Sequence, residues 1–261
     1  MRRDAIELDR FYRTTRGALA QRMIERRLSA VWPNLKDLDV LGMGYATPYL
    51  RDMQAEARRC IDLMPSTQGA IAPTHPSNIV MGDETRMPFP DAMFDRVLMI
   101  HMLEEADHLP GLLRETWRVL APEGRVVIVS AARAGVWALS DATPFGHGRP
   151  FSRGQLSHLL DDALFEPVAW SRALYAPPWR WASGRSLANA WENAGEKLWS
   201  GLGGVILVEA VKRTSALRPI GRAARASTRA LDERTHPALS PQQIPSDLRS
   251  EKGASHDDPA P

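Results

Sequence analysis

Short runs of apolar residues recur along most of the chain, separated by stretches with helical or turn-like patterns. Seven of these runs predict strands, at 38–41, 60–63, 78–81, 97–100, 126–129, 168–170 and 205–208. The middle runs are apolar at successive positions, which is typical of strands buried on both faces of a sheet. Between two of them, Leu109, Leu112, Leu113, Trp117 and Leu120 have helical spacing. This alternation of strand and helix predicts an α/β fold with parallel strands.

The two ends of the chain depart from this alternation. An apolar stripe predicts one helix over about residues 6–30, formed by Ile6, Phe11, Leu19, Met23, Ile24 and Leu28. After about Leu217 the chain is rich in Pro, Ala, Ser and charge and has little to bury, which predicts a disordered tail. We therefore expect an N-terminal helix packed on the domain within 1–35, an α/β domain over 36–215 and a tail over 216–261.

Composition and charge exclude several classes of protein. The 261 residues are 44% hydrophobic and 25% charged, unlike a disordered, collagen-like or coiled-coil chain. The net charge of +2 provides no overall drive toward nucleic acid or membrane. No stretch reaches the roughly 18 apolar residues of a membrane span, and no signal peptide is evident, so we expect a cytoplasmic protein. The single Cys60 excludes an intrachain disulfide and a multi-cysteine zinc site.

A glycine-rich turn follows the first predicted strand, at Gly42 and Gly44, with Tyr45 beside it. Glycines between a strand and a helix allow a ligand to approach the backbone closely. About twenty residues further on, Asp62 ends the second apolar run, where an acid can accept hydrogen bonds from both ribose hydroxyls of an adenosine cofactor. From these residues alone, a tight turn with a surface acid is an equally open interpretation.

An ordered series of motifs follows between Gly82 and Arg125. It consists of Gly-Asp-Glu at 82–84, Met-Pro-Phe-Pro-Asp at 87–91, Phe-Asp at 94–95, His-Met-Leu-Glu-Glu at 101–105 and Arg-Val-Leu-Ala-Pro-Glu-Gly-Arg at 118–125. In this order and spacing the block resembles the class I S-adenosylmethionine-dependent methyltransferases, especially their small-molecule branch. With the glycine turn and the flanking strands, the resemblance covers roughly residues 36–211.

The resemblance implies a Rossmann-like methyltransferase fold, with a seven-stranded, mostly parallel sheet and helices on both faces. It implies S-adenosylmethionine as the cofactor and a small-molecule methyl acceptor. The implied cofactor-binding residues are Gly42, Gly44, Tyr45, Asp62, Asp83, Glu84 and His101. The glycine turn would face the methionine part, Asp62 the ribose, and Asp83 with Glu84 beside it the adenine. His101 would lie at the end of the fourth strand, where ligands collect in open α/β sheets.

The first motif departs from the family pattern. The family carries an acid two residues before the first glycine, where it bonds the methionine ammonium, and here that position is Val40. Asp39 precedes it and, because side chains alternate along a strand, points to the other face. Ala46 replaces the third glycine, and Glu123 replaces the glycine before Gly124. A protein of this fold that binds or regulates without methylating is therefore the alternative to an enzyme.

The candidate bases are His101 and His147, one of which is needed only if the acceptor nucleophile carries a proton. His147 lies with Arg149, a candidate anion contact, in an irregular segment after the fifth strand. The same segment fits a plain turn whose Ser152 caps the next helix. Together with His101, a metal site would use Glu104, Glu105 and His108 on one helical face. The methyltransferase motif instead makes this stretch a strand end and loop, so we expect no metal.

An insertion over about residues 173–200 separates the last two predicted strands. Around it, residues 170–199 hold Trp170, Trp179, Trp181, Trp191 and Trp199. The favoured interpretation is that the aromatic residues pack the insertion on the sheet. A substrate lid remains open, as does a surface for a protein partner, a role that the tail could share. A nicotinamide-dependent dehydrogenase is disfavoured, because the turn lacks the third glycine of a dinucleotide site.

Overall fold

The computed structural model describes residues 2–71, 78–140, 142–177, 195 and 201–214. Its helices are α1 (Ala5–Tyr12), α2 (Thr15–Val31), α3 (Thr47–Glu56), α4 (Leu109–Val119) and α5 (Arg153–Asp162). Its strands are β1 (Asp39–Gly44), β2 (Arg59–Pro65), β3 (Ile79–Gly82), β4 (Phe94–Ile100), β5 (Leu120–Ala131), β6 (Phe165–Ala173) and β7 (Val205–Lys212). Each of the seven predicted apolar runs overlaps one of these strands.

The strands form one sheet in the order β3-β2-β1-β4-β5-β7-β6. The pairings of β7 are antiparallel, and the pairings among β1 to β5 are parallel. The chain moves outward from β1 to β3, then returns to place β4 on the other side of β1. At this switch point the loops after β1 and β4 leave in opposite directions, which opens a crevice at the carboxyl edge of the sheet. The predicted Rossmann-like, mostly parallel fold is confirmed.

Successive residues of the central strands face two separate apolar cores. Val40 and Leu98 pack with residues of α1, α2 and α3, whereas Leu41 and Val97 pack with residues of α4 and α5. This alternation follows from the two-residue period of a strand. Helices therefore cover both faces, as predicted, and burial on both sides explains why the strand sequences are continuously apolar.

The single helix predicted over 6–30 is wrong, because the chain breaks it after Tyr12. The Thr14 hydroxyl accepts a hydrogen bond of 3.0 Å from the Gly17 N–H and caps α2. A Cβ at Gly17 would lie 2.1 Å from the Phe11 carbonyl oxygen, so this close join requires glycine. Ile6 of the predicted stripe is exposed, and Leu8 is buried instead. The break therefore makes α1 and α2 two separate helices.

Pro122, Glu123 and Gly124, whose residue types are typical of a turn, lie within β5. The pairing of β4 with β5 shifts register between Phe94 and Arg96, so residues 121–124 bulge out of the ladder. Glu123 has a φ of 59° there, in the left-handed region that glycine adopts without strain. Glycine, the family residue at this position, would adopt this conformation without strain, whereas Glu123 is strained there.

Several expectations concern residues outside the described part of the chain. Of the tryptophans in the 170–199 stretch, Trp170 lies in β6. The other four lie outside the described residues, namely Trp179, Trp181, Trp191 and Trp199. The predicted tail over 216–261 also falls outside. Within the described ranges, no helix has both the length and the apolar character that crossing a membrane requires.

Candidate ligand site at the carboxyl edge of the sheet

The glycine turn at the end of β1 lies directly beside Asp62 of β2. The strand register pairs Gly42 with Asp62. Gly44 has a φ of 81°, and a Cβ there would lie 2.3 Å from the Ile100 carbonyl oxygen, so glycine is required. The Thr47 hydroxyl donates to Asp62 Oδ2 at 2.5 Å, whereas Oδ1 has no partner among the described residues although Asp62 is only 1% exposed. Burial raises the pKa of Asp62 to about 6. Its Oδ1 is thus an acceptor without a donor.

Asp83 and Glu84 follow β3 directly and have different partners. Asp83 Oδ1 accepts hydrogen bonds of 2.7 Å from both the backbone N–H and the hydroxyl of Thr85, which lowers the pKa of this exposed carboxyl. Glu84 forms an ion pair of 2.7 Å with Arg2, and both side chains are largely buried. The structure therefore ties Asp83 to its own turn and Glu84 to the N-terminal segment.

His101 lies directly after β4 in an aromatic enclosure. Its Nε2 is 2.8 Å from the Tyr12 hydroxyl, which in turn accepts a hydrogen bond of 3.0 Å from Tyr49. The Phe145 ring centroid is 4.7 Å from that of the imidazole. His101 is 4% exposed, and burial lowers its pKa to about 3. The imidazole is therefore neutral at neutral pH, and its Nε2 shares a hydrogen bond with the Tyr12 hydroxyl.

Residues 2–13, which we term the N-terminal cover, lie over this edge of the sheet. Hydrogen bonds attach the cover to the loops after β2, β3 and β4; they join Arg2 to Thr67 and Glu84, Arg3 N–H to Glu105, Ala5 N–H to the Gln68 carbonyl, and Tyr12 to His101. The Tyr12 ring also stacks on Tyr45, with centroids 5.7 Å apart. Sequence periodicity indicated a helix here but gave no sign of its place over the site.

A cleft of about 360 Å³ opens beside the cover, in the size range of small-ligand sites. Its lining comes from the cover, α2, α3, β2 and β3, namely Asp9, Tyr12, Arg13, Gln21, Tyr45, Thr47, Pro48, Arg51, Met64, Ile71 and Ile79. Of the predicted cofactor residues, Tyr45 alone lines it. Thr47 connects the cleft to the site, because its hydroxyl donates to Asp62.

Unpaired buried polar atoms concentrate at the same edge. Ten buried side-chain polar atoms lack a partner in the part of the chain that the structure describes. Seven of them belong to residues of the cover or of the strand ends beneath it: Arg2, Arg3, Asp62, Gln68, Glu104 and Ser130. Buried polar groups in folded proteins are nearly always paired, so this concentration makes the edge a candidate site for a polar ligand.

The segment after β5 packs against the loop that follows β4. Arg149 donates from its N–H to the Glu104 carbonyl and from Nη2 to the Ala106 carbonyl, both at 2.9 Å. His147 is half-buried. The segment ends at Ser152, which forms a reciprocal capping box with Gln155 at the start of α5, as the turn interpretation predicted. The guanidinium of Arg149 is thus bonded to backbone in the described conformation.

The residues of the metal-like pattern have separate partners. His108 Nδ1 accepts from the Gly111 N–H and caps α4, while His101 contacts Tyr12. The sequence analysis considered Glu104 only as a metal ligand. In the structure the Ala131 N–H donates to its Oε1, and its Oε2 is unpaired among the described residues. A Glu in the loop after a buried strand, in a fold that collects ligands at strand ends, was the signal that could have indicated another role.

Val40, at the acid position of the first motif, and the neighbouring Asp39 both lie away from the crevice. Val40 is fully buried in the apolar core beside α2 and α3. Asp39 begins β1, at the opposite edge, where Arg58 donates to both carboxylate oxygens at 3.0 and 2.7 Å. The hydrogen bonds from Arg58 lower the pKa of Asp39. Neither residue brings a carboxylate to the ligand edge.

Comparisons with known proteins find sequence similarity over part of the chain. Residues 38–128 match the methyltransferase domain family. The chain is 32% identical over 118 residues to malonyl-[acyl-carrier protein] O-methyltransferase of Halorhodospira halophila, covering 43% of this chain and 40% of that protein. It is 31% identical over 134 residues to a probable S-adenosylmethionine-dependent methyltransferase of Mycolicibacterium smegmatis, covering 49% and 52%. The chain thus spans about half or less of the length of these relatives.

Solved structures share the fold at low sequence identity. An S-adenosylmethionine-dependent methyltransferase from Thermotoga maritima superposes with a TM-score of 0.58 at 16% identity, covering 79% of this chain and 95% of that one. One from Archaeoglobus fulgidus gives 0.54 at 19%, covering 74% and 94%. Fold and site together define a Rossmann-like α/β protein with a ligand edge at its switch point. The segment that matches the methyltransferase domain family, residues 38–128, contains the glycine turn, Asp62 and His101 of this edge.

Proposed function

We propose that the protein transfers a methyl group from S-adenosylmethionine to a small-molecule acceptor. The observation that carries this proposal is the buried, unpaired Oδ1 of Asp62, next to the glycine turn. Ribose hydroxyls are the donors that a carboxylate at this place accepts. The Gln68 side-chain amide, buried after β2 with neither polar atom paired, offers a further donor and acceptor. The donor and acceptor set therefore fits the cofactor.

When bound, S-adenosylmethionine would supply an activated methyl group on a sulfonium sulfur. The task of the chain is then to orient two ligands and exclude water from the reacting atoms. The cover suits both tasks, because it closes the edge through Tyr12 and is anchored on three loops. In the described conformation Tyr12 lies over Tyr45 and His101, so cofactor entry requires the cover to move.

The roles assigned to single residues stay predictions. Gly42, Gly44 and Tyr45 are proposed for the methionine part, and Asp83 with Glu84 for the adenine. His101 and His147 are proposed as bases, required only for a protonated acceptor. The low pKa of His101 favours a neutral, orienting imidazole over a strong base. The net charge of +2 supports a small molecule over nucleic acid as the acceptor.

Calorimetric titration of the full chain with S-adenosylmethionine and S-adenosylhomocysteine tests the proposal. We expect saturable binding of both, and we expect Asp62→Ala to weaken it by more than about tenfold, because a hydrogen bond to a charged group is lost. Asp91→Ala is the matched control, since this exposed carboxylate lies at the opposite edge of the sheet. Absence of binding to the wild-type protein would overturn the proposal, and unchanged affinity of Asp62→Ala would remove Asp62 from the site.

The replacement of the first-motif acid favours a second candidate function, a binding or regulatory protein that does not methylate. Val40 leaves no carboxylate on β1 for the cofactor ammonium, and it is packed in the core. The same titration separates the two functions, because failure of both nucleosides to bind favours the second. A protein partner for the Trp-rich insertion or the tail, and a cytoplasmic location, stay predictions.

A further inference from the structure

Glu104 is a buried carboxyl that the roles above leave unexplained. It lies in the short 3-10 turn Leu103–Glu105 that follows β4, and it is 5% exposed. The N–H of Ala131, at the end of β5, donates to Oε1 at 2.5 Å. Oε2 has no hydrogen-bond partner among the described residues. A buried carboxyl with only one hydrogen-bonded oxygen destabilises the free protein, which indicates that the group has a further role.

The surrounding segments provide no counter-charge for this carboxyl within the described part of the chain. Glu105 disfavours its ionised form, whereas the Ser130 hydroxyl and nearby backbone N–H groups favour it without supplying a positive charge. The other titratable or charged side chains in the segments that pack around it are Tyr12 and Arg3 of the cover, His101, His147 and Arg149. Arg149 Nη2 donates to a backbone carbonyl, and no described residue forms an ion pair with Glu104. Burial raises the pKa of Glu104 to about 7.

The position of Glu104 coincides with a deficit in the cofactor site. The family acid of β1 is Val40 here, and Asp39 is paired with Arg58 at the opposite edge. β4 is the neighbour of β1 across the crevice, and Glu104 follows β4 by four residues. The carboxylate that β1 lacks is thus accompanied by a half-paired carboxyl in the turn after the neighbouring strand β4.

We propose that Glu104 is the carboxylate that faces a cationic group of S-adenosylmethionine, its ammonium or its sulfonium, in place of the acid that Val40 replaces. This inference rests on the proposed function and specifies how the same site recognises its cofactor. Oε1 is held by the Ala131 N–H, which leaves Oε2 for the ligand. A cation beside a buried carboxyl favours its ionised form. Binding of the cofactor therefore releases the proton of Glu104 to the solvent.

Proton release is measured by titrating S-adenosylmethionine into the full chain at pH 7 in phosphate and in Tris. The difference in apparent enthalpy between the buffers gives the number of protons released. Because the pKa of Glu104 is about 7, we expect about half a proton from this residue per cofactor bound. Asp62, whose pKa is about 6, contributes a smaller release, which persists when Glu104 is replaced.

Glu104→Gln is the main variant, because its amide oxygen still accepts from Ala131 while the ionisable group is lost. We expect it to remove most of the proton release and to weaken S-adenosylmethionine binding by about tenfold or more. Glu123→Gln is the matched control at the opposite edge and should release protons as the wild type does. Glu104→Asp, which keeps the ionisable group, should restore part of the release.

The wild-type protein gives a test that needs no variant. Below the pKa of Glu104, each unit of falling pH should weaken S-adenosylmethionine binding by up to about tenfold, because the carboxyl must first lose its proton. Wild-type binding with equal proton release in Glu104→Gln would overturn this inference and leave the proposed function intact. A wild-type protein that binds neither nucleoside would overturn the proposed function itself. Release that persists with S-adenosylhomocysteine, which lacks the sulfonium, would assign the contact to the ammonium.

Discussion

The two edges of the sheet differ in how completely their charged side chains are paired. At the amino edge, Arg58 is paired with Asp39, and Arg118 is bonded to Glu115 and Asp91. At the carboxyl edge, Asp62 and Glu104 are both buried, and each has one oxygen without a partner in the described part of the chain. The same sheet, with the same cores above and below it, thus has one electrostatically complete edge and one incomplete edge.

This difference points to the candidate site without reference to any motif. Arg118 satisfies two carboxylates and the carbonyls of Met87 and Phe89, so its role is complete within the chain. Trp117 Nε1 is an unpaired atom of this region, and the Lys212 ammonium lies 4.0 Å from its ring centroid. Charged side chains with a structural role are paired within the chain, whereas charged side chains that bind a ligand lack partners until the ligand is bound.

Breaking the complete edge should have the largest effect on stability. Arg118→Ala leaves Glu115 and Asp91 without their cation and two carbonyls without a donor, so we expect a loss of about 2–4 kcal/mol in the free energy of unfolding. Urea denaturation measures it. Arg114→Ala, an exposed arginine of the same helix, is the control and should cost less than about 0.5 kcal/mol. Equal effects of the two variants would contradict the contrast between the edges.

Removing a contact of the N-terminal cover at the carboxyl edge should have an intermediate effect on stability. Tyr12→Phe keeps the ring but removes the hydroxyl between His101 and Tyr49, so we expect a loss of about 1–2 kcal/mol. Hydrogen exchange of the α1 amides should accelerate more than that of β1. Arg10→Ala, on the exposed side of α1, should leave both readouts unchanged. Exchange that stays slow in Tyr12→Phe would show that this hydroxyl does not hold the cover closed.

The smallest effect should be a gain at the bulge of β5. Glu123 adopts a left-handed conformation, so we expect Glu123→Gly to raise the free energy of unfolding by about 0.5–1 kcal/mol. Glu123→Ala separates conformation from charge, because alanine keeps the strain. Similar stability of the glycine and alanine variants would show that the backbone at this position stores no strain.

The sequence predicted the sheet because local pattern determines it. Continuous apolar runs such as 97–100 follow from burial on both faces, and the glycine turn before Thr47 fixes the start of α3. The break between α1 and α2 was missed because it depends on a single cap at Thr14 and a close contact at Gly17. Neither contact disturbs the hydrophobic period enough to show in the sequence pattern.

The site was predictable to the extent that it lies on strand ends. The register brings Gly42 and Asp62 together as expected. The cover was not predictable, because no local pattern couples Tyr12 to His101 across 89 positions. Glu104 was visible as a residue type, but its missing partner is a property of the packed interior. What sequence could not show is therefore which polar groups folding leaves unsatisfied.

The cover also has a consequence for the order of folding. Its helix α1 precedes every strand of the sheet in the sequence, but its anchors come late: Arg3 bonds to Glu105, 102 positions further on. Contacts of such long range form only after the intervening chain has been ordered, because closing the loop costs entropy first. The β1–β4 pairing must therefore precede the docking of α1. A newly made chain passes through a stage in which its ligand edge is assembled and still open to the cell.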